Sequence, residues 1–179
     1  MSPFDARQLD LERLAGSERQ LSGDWPLAGF SRLVEDADDA LPAVGWSAQA
    51  HPVAPGEGHP GLWLQLQART TVRLVCQRCL QPYEQPLEVD RRLRFVRDEK
   101  LAQQLDEDSE DDVLVLPARL DLHALLEDEL ILALPLVPRH DECPEPLQVP
   151  ADPSAQAPQD STPHPFAALA ALRKPGDPH

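Results

Sequence analysis

The sequence predicts an α+β protein: a curved antiparallel sheet, or partial barrel, of about four to six strands, covered by one main helix and followed by a flexible acidic C-terminal arm. Three observations predict it. Apolar and polar residues alternate in closely spaced runs between Val44 and Phe95, the pattern of strands with one wet and one buried face. No long helical pattern interrupts those runs, which favours a meander over βαβ units. A single apolar stripe of helical period then lies between Asp121 and Pro135.

Phe4 to Leu14 predicts a short helix, with Leu9, Leu11 and Leu14 as its apolar residues. Ser17 to Asp39 is polar and broken by Gly and Pro, so it reads as connecting structure anchored by Phe30, Leu33 and Val34. Val44, Trp46, Ala48 and Ala50 then alternate with Gly45, Ser47 and Gln49. After a turn over His51 to Gly61, Leu62, Leu64, Leu66 and Ala68 alternate with Trp63, Gln65 and Gln67. Val72, Leu74 and Cys76 continue beyond a break at Thr70-Thr71. In the next run Leu87, Val89, Leu93 and Phe95 share one parity, and Glu88, Asp90, Arg92 and Arg94 the other.

Asp106 to Asp112 holds six acids in seven residues and reads as a solvated loop, with a short strand over Val113 to Leu116. Asp121 is an N-cap for a helix from Leu122 to about Leu134, where Pro135 stops it. On that helix Leu122, Leu125, Leu126, Leu132 and Ala133 form one arc, and Glu127 and Asp128 point away from it. Glu129 falls inside the arc, where an unpaired charge is costly, so it calls for a structural ion pair with an arginine of the sheet. Its replacement by Gln is then expected to destabilise the fold. The implied organisation is an N-terminal segment over 1–40, a core domain over 41–143, a proline-rich linker over 144–164, and a short helix and tail over 165–179.

The chain has 179 residues, 20 prolines and a formal charge of −15. Such a charge argues against coating nucleic acid by bulk attraction and favours basic partners. Three cysteines, an odd number, suit a reducing compartment rather than a disulfide scaffold. Met1 to Asp10 lacks a signal-peptide profile, and the apolar run Leu130 to Val137 is far short of the roughly 20 residues a membrane span needs. The expectation is a cytoplasmic protein without a membrane partner or small-molecule substrate. No Walker loop, Rossmann fingerprint, HExxH or GxSxG occurs, so no common ground for an enzyme is present.

Two features carry chemistry. Cys76 and Cys79 form a CxxC, and His140 and Cys143 repeat the interval, giving four candidate ligands for a structural Zn²⁺. Cys76 can instead be a small core residue, and a CxxC beside Arg78 can serve thiol redox chemistry when it opens a helix. Residues 69–100 hold eight of the 16 basic residues, among them Arg78, Arg91, Arg92, Arg94 and Arg97, candidate contacts to nucleic acid. The alternative is that they pair with the abundant acids and lie over the sheet.

Val75-Cys76-Gln77-Arg78-Cys79-Leu80, the segment Leu125 to Pro135 with Pro138, and the tail Pro165 to Arg173 together resemble the YceD family, whose members are called large ribosomal RNA subunit accumulation proteins. The resemblance spans about residues 60 to 174 in three motifs in the right order. It implies a non-enzymatic role in large-subunit biogenesis, supporting 23S ribosomal RNA accumulation or processing, with ribosomal RNA or a basic ribosomal protein as partner. A zinc-stabilised adaptor or a thiol oxidoreductase is the alternative that the CxxC leaves open. Many relatives place several cysteines after the helix; this chain has only His140 and Cys143 there, a minimal set.

Overall fold

In the computed structural model, which describes residues 4–34, 42–54, 59–108 and 111–144, the alternating runs pair within one open five-stranded sheet whose strands lie side by side in chain order. β2 (Ala43–Pro52), β3 (Leu62–Val75) and β4 (Pro82–Val96) are the predicted runs, antiparallel to one another. One face buries Val44, Ala48, Ala50, Leu64, Leu66, Ala68, Val72, Leu87, Val89, Leu93 and Phe95. Removing that apolar area from water is the main force holding the sheet to what covers it. The cover is α3 (Leu122–Leu132), which buries Leu122, Leu126 and Leu130, with α1 (Leu11–Ser17) adding Leu11 and Leu14.

Both helices start as their cap residues dictate. The Asp121 carboxylate accepts from the Ala124 amide at 3.0 Å, and Asp10 accepts from Arg13 at 3.0 Å. The first helix therefore begins later than the sequence suggests. Leu9 precedes it and pairs with Leu120 through two backbone hydrogen bonds of 2.8 Å. α3 ends at Leu132; the Ala133 and Leu134 amides still donate to Glu129 and Ile131, and Pro135, having no N–H, ends the run.

Four readings are corrected. The expected connector contains a strand, β1 (Gln20–Pro26), paired antiparallel with β2. Its core side is disguised by Gly23, across which the Trp46 indole lies: a Cβ there would stand 3.3 Å from the ring. β3 runs unbroken through Thr70-Thr71, because the buried Thr70 hydroxyl donates to the Ala43 carbonyl at 3.3 Å. The acidic segment is in part helix, α2 (Glu99–Asp108). Finally β5 (Asp112–Val115) lies parallel to β4, making the sheet mixed, since α2 is the crossover that a parallel pair needs. Leu101, Ala102 and Leu105 of α2 pack with Val96 and Val113 in a second cluster, separate from the main core.

Glu127 also departs from its expected outward position. It is buried, and its carboxylate accepts from the Arg32 amide at 2.7 Å and from Arg32 Nε at 2.9 Å. The segment around Phe30 thus crosses the side of α3 that the helical wheel assigned to solvent. Except for Pro144, the proline-rich linker and the helix expected over 165–172 lie outside the described residues.

Candidate metal centre

β3 has β2 beside it only over Leu62–Arg69; from Thr70 onward its ladder partner is β4 alone. The hairpin thus projects as a two-stranded ribbon, and the CxxC occupies its tip. Cys76 N–H donates to Gln81 O at 3.0 Å and Leu80 N–H to Cys76 O at 2.9 Å. Leu80 sits at φ 60, a left-handed conformation unusual for a leucine, which folds the turn back on itself. The Gln77 amide donates to Pro138 O at 2.8 Å and so docks the segment after α3 against this turn.

That docking brings all four predicted ligands together. Cys76 Sγ lies 3.8 Å from Cys143 Sγ, and Cys79 Sγ lies 3.4 Å from His140 Nδ1. All four donor atoms fall within 4.8 Å of one another. A tetrahedral ion with Zn–S about 2.3 Å and Zn–N about 2.0–2.1 Å has S–S edges of about 3.8 Å and S–N edges of about 3.5 Å. The donor chemistry and the spacing both fit such an ion, and four protein donors complete its sphere.

The tip is also prepared for negative charge. Burial pushes the Cys76 thiol up, but hydrogen bonds from the His140, Cys79 and Arg78 amides outweigh it and bring the group down to about 5. Two of those amides, of His140 and Arg78, stand 3.4 Å from its sulfur. Burial instead raises the Cys79 thiol. Arg78 Nε donates to Cys143 Sγ at 3.0 Å, and its Nη2 reaches the His140 and Asp141 carbonyls at 3.1 and 3.3 Å. The Tyr83 ring packs 5.0 Å from that of His140. The CxxC lies in a hairpin turn, not at a helix N-terminus, so the setting that thiol oxidoreductases use is not the one found here.

The five candidate arginines do not gather into one strip. Arg78 belongs to the hairpin tip. Arg91 shares parity with the buried residues of β4 and pairs with Glu129 at 3.2 Å and with Asp112. Arg92 lies on the other face, bonded to Asp111 at 2.8 Å and stacked 4.3 Å from the Trp63 ring. Arg94 is buried, donates to the His59 carbonyl at 2.8 Å and lies 5.5 Å from the same ring. Arg97 pairs with Glu12. Trp63 was not singled out in the sequence, although its parity on β3 places it beside Arg94, its register partner.

The sheet arginine expected for Glu129 is Arg91. Burial raises the Glu129 carboxyl, and Asp112 adds to the rise against the opposing pull of Arg91. For Glu127 burial also acts upward, but the Arg32 amide and guanidinium prevail and hold it below the usual value. Among the described residues, no helix is long and apolar enough to cross a membrane.

Comparison with known proteins adds to this geometry. The family described as "Large ribosomal RNA subunit accumulation protein YceD" matches residues 64–173, more than half of the chain and inclusive of all four donors. A protein of that name from Haemophilus influenzae is 39% identical over 107 residues, which cover 58% of this chain and 60% of that protein. The chain thus matches less than two thirds of that relative's length. No solved structure matches it.

Proposed function

The chain belongs to the YceD family, and we propose that it acts as a non-enzymatic factor in large-subunit biogenesis, holding a basic ribosomal protein against its acidic surface. The observation that carries the choice of partner is the state of the arginines. Arg91, Arg92 and Arg97 are bound to carboxylates, Arg78 to a thiol and carbonyls, and Arg94 to a carbonyl. In a chain of net charge −15, phosphate contacts through these five would compete with the bonds they already make. Through that partner the protein supports accumulation or processing of 23S ribosomal RNA, in the cytoplasm.

Cys76, Cys79, His140 and Cys143 are proposed to hold a structural Zn²⁺. The four-donor set supports a closed site, with no open position for a substrate or a reactive water. Bound there, the ion fastens the ribbon tip to the segment after α3.

Crosslinking in cells, read by mass spectrometry for protein and by sequencing for RNA, tests the partner. A ribosomal protein of high Lys and Arg content is expected. Dominant crosslinks to 23S ribosomal RNA, lost on joint replacement of Arg92 and Arg94, would instead establish direct RNA binding. Elemental analysis of the purified chain tests the ion, with one zinc per molecule expected.

A further inference from the structure

We propose that Cys143 and Cys76 are a peroxide-oxidisable pair whose disulfide replaces the metal as the link between the hairpin tip and the segment after α3. This rests on the donor set described above, and its metal arm rests on the zinc reading.

The three sulfurs are not equivalent. Cys76 and Cys79 are buried, whereas Cys143 is half-buried, so Cys143 is the sulfur an aqueous oxidant meets first. Arg78 Nε donates to Cys143 Sγ at 3.0 Å and so holds that sulfur in place beside the hairpin tip. Cys76 Sγ stands 3.8 Å from Cys143 Sγ, while Cys79 Sγ faces His140 Nδ1 at 3.4 Å. Closing 3.8 Å to a disulfide length of about 2.05 Å needs only a small approach of the two side chains.

The reaction has two displacements. The Cys143 thiolate attacks one oxygen of hydrogen peroxide; an S–O bond forms, the O–O bond breaks, and hydroxide leaves to be protonated to water. The Cys76 thiolate then attacks the sulfur of the Cys143 sulfenic acid; the S–S bond forms, the S–O bond breaks, and a second hydroxide leaves as water. Two thiolates, one peroxide and two protons give one disulfide and two waters, the sulfurs losing the two electrons that peroxide gains.

Of the donors, Cys79 and His140 remain, half of the tetrahedral set, so the ion is released. The product still joins the two segments the ion had joined. A Cys76–Cys79 disulfide would close only the turn and leave the segment after α3 untethered.

The test uses the full chain, zinc-loaded and metal-free in parallel, treated with one equivalent of hydrogen peroxide, then alkylated and mapped by peptide mass. A Cys76–Cys143 disulfide with alkylated Cys79 is expected in both arms, with one zinc per disulfide appearing on a chromogenic chelator in the loaded arm. Cys76→Ser should leave a sulfenic acid on Cys143 that dimedone traps. A Cys76–Cys79 product, first oxidation at Cys79, or no disulfide in either arm overturns the proposal. Failure to load zinc, with the expected disulfide in the metal-free arm, sinks the zinc reading and leaves the thiol pair standing.

Discussion

At its root the β3–β4 hairpin has β2 on one edge and β5 on the other, and Leu64, Leu66, Leu93 and Phe95 lie buried in the main core. At its tip it has neither neighbouring strand, and Val75 and Leu80 are half or more exposed, at 50% and 62%. The same two strands are thus stabilised by two different means. Apolar burial holds the root whatever the thiols do, while the tip depends on a few polar groups meeting at one point. Stability and the candidate chemistry are thereby separated along one hairpin.

The comparison is broken most severely by a hole in the core. Leu126→Ala removes a fully buried side chain from α3 and should cost about 2–5 kcal/mol of global stability in urea unfolding. The loss should be the same with and without chelator; a chelator-dependent loss would mean that root and tip are one unit. Next in size, Cys79→Ser should abolish zinc retention and speed amide exchange over residues 76–82 and 138–143, leaving the protected amides of β2 and the root of β3 unchanged. Equal acceleration everywhere would erase the distinction.

Two carboxylates of α3 sharpen it further. Glu127→Gln weakens acceptors used by the Arg32 amide and guanidinium and should cost about 1–3 kcal/mol. Because the folded carboxyl lies below its ordinary value of 4.5, its contribution is complete above that pH and is lost as pH falls through the folded value. Stability measured from pH 7 down to 3 should show a wild-type decline that the variant lacks in part. Glu129→Gln should have the smallest effect, within about 1 kcal/mol of wild type. Its folded carboxyl lies above the ordinary value, so its charge opposes folding at neutral pH, and the opposition fades as pH drops below the folded value. The larger destabilisation expected from the sequence would show that the Arg91 pairing outweighs burial.

Much of this was legible in advance, for reasons particular to each residue. The alternation of Leu, Val and Ala placed β2, β3 and β4, and Asp121 and Pro135 bracketed α3 almost to the residue. β1 was hidden because Gly23 and a partly exposed Trp25 blur its inner face, and pairing with β2 supplies what its own pattern lacks. The two ligand intervals gave the donor set, but nothing local showed that Arg78 would turn toward Cys143, a contact 65 residues apart. The scatter of the arginines was partly readable: Arg91 has the parity of Leu93, and Arg92 has the opposite parity, so one face could not hold both. The burial of Glu127 was not readable, because it depends on where a connector more than 90 residues upstream crosses the helix.

The order in which the donors arrive along the chain has a kinetic consequence. Cys76 and Cys79 come with the hairpin, but His140 and Cys143 follow only after α3. Two thiols alone grip a divalent cation far more loosely than a full tetrahedral set, and the missing pair reaches them only once the helix has settled on the sheet. An ion held by all four donors would therefore be captured late in folding, marking a finished polypeptide rather than nucleating one.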